Sequence, residues 1–152
     1  MIKIIVKRLL PCFLLLSVSA FSKEKIGIEY DYKITRVIDG DTVAFRAEFL
    51  PSPLKPELSL RIYGVDTPEK GRRAKCELEA KKGQAAFEFT KVSVESAVTT
   101  KVVIMKWDKY GGRVLGDVIV DGQSLKDLLL SKGLAKPYDG GKKRGWCEEE
   151  GS

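Results

Sequence analysis

The sequence predicts an α+β fold that is mainly β, a five-stranded OB-fold barrel with two or three helices. Three observations lead to this class. Short segments alternate apolar and polar residues, a long segment rich in helix formers follows the third strand, and a capped helix follows the fifth. Three strands, a helix, two strands and a helix is the element order of an OB-fold barrel. At 152 residues and 43% hydrophobic composition, the chain supports one domain, expected at 33–152.

The first two strands are predicted at 33–38 and 42–49, joined as a hairpin around Asp39-Gly40. Asp-Gly between alternating segments is a strong signal for a type I′ turn, in which both central residues have positive φ. The turn therefore explains Asp39, whereas it does not explain Asp41. Three prolines then interrupt the pattern and predict a loop over 50–57.

The third strand, predicted at 58–65, leads into a cluster of charged side chains. Its leucines share one face, so Arg61 points away from the core. The strand stops before Pro68, which cannot donate to a ladder, and this leaves Asp66 and Glu69 just past its end. Two carboxylates and a guanidinium in this pattern can converge on one phosphate-sized space. The alternative is an ordinary arginine–carboxylate pair on the surface.

The first helix is predicted at 74–98, where helix formers predominate. Gly83 costs about 1 kcal/mol inside a helix, so a start near Gly83 is the alternative. The apolar residues that recur at helical spacing form its expected core face: Leu78, Ala85, Phe89 and Val92.

The second half of the domain is expected to contain a hairpin and a short helix. The hairpin strands are predicted at 101–107 and 113–120, and Asp121-Gly122 predicts the turn that follows them. Ser124 is the expected cap of a helix that ends at Gly133.

The first twenty residues predict a secretory signal peptide. A basic start at 1–8 is followed by a short apolar run at 9–18 and by small residues that suit cleavage after Ala20. The run is too short to span a bilayer, so we expect a secreted or periplasmic protein with no membrane association after removal of residues 1–20. Residues 21–32 are expected to be a flexible lead-in.

Basic residues form two clusters in the predicted mature chain. Removal of the signal peptide lowers the formal net charge from +6 to +3, because it takes away three basic residues and no acid. One cluster follows Glu69, and the other is Lys142-Lys143-Arg144. Such clusters suit a polyanion bound through release of its counterions, and a solvated basic face gives the same pattern.

The chain has no histidine, which excludes several kinds of site. Structural zinc sites, histidine-dependent nucleases and Ser-His-Asp triads need ligands or a base that the chain lacks. Acid–base chemistry must come from Asp, Glu, Lys or Tyr, and a metal site must be rich in oxygen, which indicates calcium, magnesium or manganese. Cys76 and Cys147 remain after export and are expected to form a disulfide rather than free thiols.

Three motifs together resemble the staphylococcal nuclease (thermonuclease) family. They lie at 37–43, 60–69 and 108–113, in the order found in that family, and the resemblance covers residues 33–138. The resemblance implies an exported bacterial member of the family.

The resemblance also implies a metal ion and its ligands. Asp41 and Asp66 would bind Ca²⁺ through their side chains, and Thr67 through its carbonyl. Arg61 and Arg113 match the two arginines with which the family holds a phosphate.

Three further residues match family positions with a role in the reaction. Glu69 matches the glutamate assigned as general base for the attacking water. Tyr110 and Tyr138 match positions that border the nucleotide, and a half-buried tyrosine of the barrel is the alternative for each.

These roles predict a calcium-dependent nuclease that hydrolyses the phosphodiester bonds of DNA and RNA with little sequence specificity. The matched residues are expected to bind phosphate and metal, and none is an obvious candidate for hydrogen bonding to base edges. Single strands are expected to be preferred, and the protein is expected to be a monomer. The alternative is a non-catalytic OB-fold protein that binds single-stranded nucleic acid without cutting it.

Overall fold

The computed structural model describes residues 27–51, 53–54 and 56–148. The predicted signal peptide and the first part of the lead-in lie outside the described residues. The elements are, in order, β1 (Ile28–Tyr30), β2 (Ile34–Asp39), β3 (Thr42–Arg46), β4 (Glu57–Ile62), β5 (Val65–Asp66), α1 (Glu77–Ser96), β6 (Thr100–Trp107), β7 (Arg113–Val120), β8 (Gln123–Ser124), α2 (Leu125–Ser131) and β9 (Lys136–Pro137). A single 3-10 turn, Gly71–Arg73, precedes α1. Within the described ranges, no helix is long and apolar enough to cross a membrane.

The main sheet has the strand order β1-β6-β7-β4-β3-β2, with β8 paired to β7. β4 and β7 run parallel, and the other neighbours run antiparallel. β5 pairs with β9 in a second, two-stranded sheet. The predicted α+β, mainly β class with two α-helices is confirmed. The sheet is not closed into a barrel, because β1 and β2 stand at the two ends of the strand order.

The hydrophobic core lies on one face of the central strands and includes helix α2. On β4, alternate residues are buried and Arg61 lies on the opposite face, as predicted. Leu60 of β4 and Leu125 and Leu129 of α2 are completely buried. Burial of each such side chain contributes about 1.5–3 kcal/mol, so this packing fixes the end of β4.

Helix α1 packs only in part through the face that its apolar pattern indicates. The helix begins at Glu77 and continues through Gly83, so the alternative start near Gly83 is wrong. Of the predicted core face, Phe89 packs against the core, whereas Ala85 and Val92 are exposed. The buried residues of the helix are instead Glu79, Gly83, Ala86 and Thr90. This face is small and polar because it packs largely against backbone.

The turn between β2 and β3 also differs from the prediction. Asp39 pairs with Thr42, so the tip of the hairpin is Gly40-Asp41, one residue later than expected. No residue of this turn has a positive φ, so the turn is not type I′. Gly40 is instead needed for close approach, since an added Cβ would lie 2.8 Å from the Cβ of Ala86. Thr90 Oγ1 donates to the carbonyl of Gly40 at 2.6 Å, and α1 thereby holds the tip in place.

Part of the predicted lead-in is a strand. Ile28–Tyr30 pairs with β6, which corrects the expectation that residues 21–32 lack regular structure. Tyr30 stacks on Tyr32, with ring centres 4.9 Å apart, and Tyr32 stacks on the buried Phe45 at 5.7 Å. These ring contacts attach the segment to the core.

The third strand, predicted at 58–65, is divided in the structure. β4 ends at Ile62, and a turn at Tyr63-Gly64, where Gly64 has a φ of 87°, separates it from β5.

The turn after the second hairpin and the short helix agree with the predictions. Asp121 and Gly122 have φ angles of 47° and 81°, as a type I′ turn requires. The Ser124 side chain accepts a hydrogen bond from the amide of Asp127 and so caps α2. Gly133, with φ of 65°, follows the helix end.

Cys76 and Cys147 form a disulfide, which is the pair expected from the sequence. Their Cα atoms lie 5.9 Å apart, and 71 positions separate them in the chain. Closing a loop of this length contributes about 4 kcal/mol in the chain-entropy model. The bond joins the start of α1 to the C-terminal segment, where Trp146 is also buried.

Candidate active site

Asp41, Asp66 and Arg61 meet where the β2–β3 turn lies beside the end of β4. Arg61 Nη2 is 2.9 Å from Asp41 Oδ2 and 3.0 Å from Asp66 Oδ1. The amide of Ile62 donates to the carbonyl of Asp41 at 2.8 Å, which fixes the turn against β4. Both carboxylates therefore converge on one point, where the guanidinium supplies the positive charge.

Asp41 is the more buried of the two aspartates. Its Oδ1 accepts a hydrogen bond from Thr42 Oγ1 at 2.8 Å, and its Oδ2 accepts one from the amide of Thr67 at 3.3 Å. Burial raises the pKa of Asp41, while the charge of Arg61 and the two hydrogen bonds oppose the rise. A cation beside Asp41 is therefore what favours its ionised form.

Glu69 is positioned by a buried glutamate of α1. Glu79, with 5% exposure, accepts hydrogen bonds from the amide of Glu69 at 3.4 Å and from the amide of Lys75 at 2.7 Å. Arg73 Nε lies 3.4 Å from Glu69 Oε2, and Arg73 also pairs with Asp39. Neither Glu79 nor Arg73 was predicted as a site residue from the sequence. The carboxylate of Glu69 remains partly open to solvent.

Gly83 allows α1 to pass directly over the backbone that carries Glu69. An added Cβ at Gly83 would lie 2.3 Å from the carbonyl oxygen of Glu69 and 2.8 Å from that of Pro68. These separations are shorter than atoms tolerate, so any larger residue must displace the helix or the Pro68-Glu69 segment.

Gly83→Ala is expected to lower the free energy of unfolding by about 1–3 kcal/mol, because overpacking forces the backbone apart. In a solvent-exposed helix the same change would raise stability by about 1 kcal/mol. A decrease in the free energy of unfolding would therefore identify overpacking as the cause. Denaturant unfolding measures it, with the neighbouring exposed Gln84→Ala as control. A stability equal to or above that of the wild type would contradict the close contact.

Arg113 lies on β7, next to the strand that carries Arg61. Its backbone is in register with Ser59 of β4, and its Nε donates to Asp108 Oδ2 at 2.6 Å. A cavity of about 110 Å³ brings five of the predicted residues together, and Asp66 is not among the residues that line it. Its lining includes Asp41, Arg61, Thr67, Glu69 and Arg113.

A larger groove, of about 600 Å³, is lined by Arg61 and Arg113 as well. Tyr110 and Tyr138 also line it. Tyr110 is 58% exposed, so the alternative of a half-buried barrel tyrosine is wrong for this residue. Tyr138 is partly buried, and its amide donates to the carbonyl of Gly64 at 2.9 Å.

Lys143 is a site residue that the sequence analysis did not identify. Its Nζ lies 2.8 Å from Asp66 Oδ1 and 3.6 Å from Glu69 Oε1. Burial lowers the pKa of Lys143, but the hydrogen bond to Asp66 and the nearby carboxylate charges outweigh burial and raise the pKa overall. The basic cluster at 142–144 was the available signal, and it did not indicate which lysine turns inward.

The oxygen ligands at Asp41 and Asp66 fit a hard cation. The two carboxylates are buried and already attract two cationic side chains, Arg61 and Lys143. In the part of the chain that the structure describes, no group of three or more His, Cys, Asp or Glu side chains is spaced to hold a metal. A divalent ion would therefore need further oxygen atoms from a backbone carbonyl such as that of Thr67, from water or from a phosphate.

Buried aspartates, two arginines and a partly open glutamate around one small cavity define a site suited to phosphate chemistry. The family described as staphylococcal nuclease homologue matches residues 59–149, more than half of the chain, and the chain belongs to this family.

Two curated relatives agree with the family. The chain is 33% identical over 116 residues to Endonuclease YhcR of Bacillus subtilis (strain 168), a match that covers 72% of this chain and 9% of that protein. It is 32% identical over 113 residues to Thermonuclease of Staphylococcus hyicus, covering 71% of this chain and 59% of that protein. The chain thus spans less than two thirds of either relative.

Proposed function

We propose that the protein is a calcium-dependent nuclease that hydrolyses the phosphodiester bonds of DNA and RNA with little sequence specificity. The observation that carries the proposal is the convergence of Asp41, Asp66 and Arg61 on one point beside Glu69. Membership of the family supports it, as do the names of the two relatives, an endonuclease and a thermonuclease.

In this proposal the aspartates bind the metal ion and the arginines bind the phosphate. Asp41 and Asp66 would hold Ca²⁺, with the carbonyl of Thr67 as a further ligand. Calcium, when bound, supplies positive charge that neutralises the phosphate and orients a water molecule. Arg61 and Arg113 line the same cavity and bind phosphate oxygens, whose negative charge increases during in-line attack.

Glu69 acts as the general base. The water oxygen bonds to phosphorus, its proton passes to the Glu69 carboxylate, and the bond to the leaving oxygen breaks, with a proton from solvent completing the product. Glu69 suits this role because its side chain is 32% exposed, whereas Asp41 and Asp66 are almost completely buried. Arg73 and Lys143 contact its two oxygens and hold the carboxylate in position.

We also propose that the protein acts outside the cytoplasm as a monomer, after removal of a signal peptide. The Cys76–Cys147 disulfide supports an oxidising compartment, either the periplasm or the medium.

Incubation of the chain from residue 21 onward with single-stranded DNA, duplex DNA and RNA tests the proposal. We expect all three to be cut in the presence of calcium, single strands fastest, and none to be cut when a chelator replaces calcium. A protein that retards single-stranded DNA on a gel yet leaves it intact in calcium would support the alternative, a non-catalytic single-stranded nucleic-acid-binding protein.

A further inference from the structure

Exposed aromatic side chains gather in the larger groove, and two of them are not among the tyrosines that the family resemblance indicates. Of the four well-exposed aromatic residues in the described part of the chain, Tyr63, Trp107 and Tyr110 line this groove, and Phe49 does not. Trp107, at the end of β6, is 60% exposed, whereas the chain's other tryptophan is buried. Single exposed aromatic residues are common on protein surfaces, but three in one groove indicate a binding surface.

Positive charge accompanies these rings. Lys106 Nζ lies 4.7 Å from the centre of the Tyr63 ring, and Lys109 Nζ lies 5.1 Å from that of Tyr110. The acids that line the groove are Asp108 and Asp139, and Asp108 is already paired with Arg113 at 2.6 Å. The groove therefore has excess positive charge, which suits a polyanion.

We propose that Trp107, flanked in the groove by Lys106 and Lys109, forms a base-stacking subsite for a single-stranded polynucleotide. The ring face stacks on one base, and the two ammonium groups meet the phosphates on either side of it. A duplex does not satisfy this surface, since its bases are already stacked on one another. The inference rests on the proposed function in that the same groove leads to Arg61 and Arg113, but binding at Trp107 requires no cleavage.

Binding in the presence of a chelator tests the subsite without turnover. Oligothymidylates of about ten nucleotides and of two nucleotides are titrated against the chain from residue 21 onward, with intrinsic fluorescence and anisotropy as readouts. We expect the long oligonucleotide to quench the emission of Trp107. In Trp107→Ala, the preference for the long over the short oligonucleotide should fall about tenfold or more, and Trp107→Tyr should restore most of it.

Two comparisons separate stacking from charge. Phe49→Ala removes an exposed aromatic residue outside the groove and should leave the length preference unchanged. An acidic peptide such as oligoglutamate should compete poorly, because it offers charge without bases. If oligoglutamate or duplex DNA competes as well as the oligothymidylate, the stacking subsite is wrong.

The outcomes also separate this inference from the proposed function. A protein that cuts DNA in calcium while Trp107→Ala keeps the wild-type length preference is a nuclease without this subsite. A protein that loses the preference in Trp107→Ala but never cuts nucleic acid has the subsite and is not a nuclease.

Discussion

Arg61→Ala is expected to lower nuclease activity by about 10³-fold or more, the range seen when a preorganised phosphate or oxyanion ligand is removed. The side chain contacts Asp41 and Asp66 and lines both the small cavity and the groove. One substitution thus removes a phosphate ligand and the charge beside two buried carboxylates. Steady-state cleavage of a fluorogenic oligonucleotide measures the loss.

The same substitution should lower the free energy of unfolding in calcium-free buffer by about 3 kcal/mol, because a buried carboxylate loses its partner. Removal of Arg61 takes away the charge that opposes the raised pKa of Asp41. The loss should therefore be smallest at low pH, where Asp41 is protonated in both folded and unfolded chains. It should grow once the pH rises above the pKa of Asp41 in the folded wild-type chain, which burial places above the ordinary value of 3.8, because ionisation of the unfolded chain affects both proteins equally.

Controls separate charge, geometry and general effects at Arg61. Arg61→Lys keeps the charge and loses the planar fork, so it should recover stability better than activity. Calcium should raise the stability of Arg61→Ala, since its proposed ligands remain. Arg36→Ala removes an exposed pair with Glu57 and should change stability by no more than about 1 kcal/mol. Wild-type activity in Arg61→Ala would place the phosphate site elsewhere.

Local sequence signals predicted the elements whose structure is decided locally. Alternation placed the buried residues and Arg61 of β4 on opposite faces, and the Ser124 cap and the Asp121-Gly122 turn depend on a few adjacent residues. Such features need little information from the rest of the chain, and the sequence was sufficient for them.

Contacts between backbones could not be predicted in this way. The buried face of α1 is formed by Glu79, Gly83, Ala86 and Thr90, which carry no strong apolar signal. From the sequence alone, Gly83 is expected only to weaken the helix. The structure shows that it lies against the carbonyl of Glu69, where a larger residue does not fit. The sequence likewise predicts Gly40 as a turn residue with a positive φ, whereas in the structure it lets the hairpin tip approach α1 closely.

Part of the candidate site could also be predicted from local sequence motifs. The acids and arginines lie in motifs whose order resembles one family, so their proximity could be anticipated. Lys143 could not, because its position depends on a C-terminal segment held by β9, the disulfide and the buried Trp146. Trp107 gave no signal in the sequence, since its exposure depends on where the β6–β7 hairpin lies in the sheet.

Glu69→Gln is expected to lower kcat by about 10²–10⁴-fold while nucleic-acid and calcium affinity stay near those of the wild type. The amide keeps the shape of the side chain, and its one oxygen can keep the contact to either Arg73 or Lys143, which reach different oxygens of Glu69, but the amide cannot accept the proton of the attacking water. The wild-type rate should rise with pH as the nucleophile is deprotonated, and the profile of the variant should be flatter. Glu77→Gln, at an exposed position paired with Lys81, is the matched control and should retain full activity.

The comparison of kcat with binding decides what Glu69 does. If Glu69→Gln lost affinity with an unchanged kcat, the carboxylate would serve only to hold Arg73 and Lys143 in place. If it kept the wild-type kcat and pH profile, another group would take the proton. Retained binding with a reduced kcat would show that Glu69 acts in the transition state. A flattened pH profile would identify that action as proton transfer, because a group that only stabilises charge there lowers kcat without changing the pH profile.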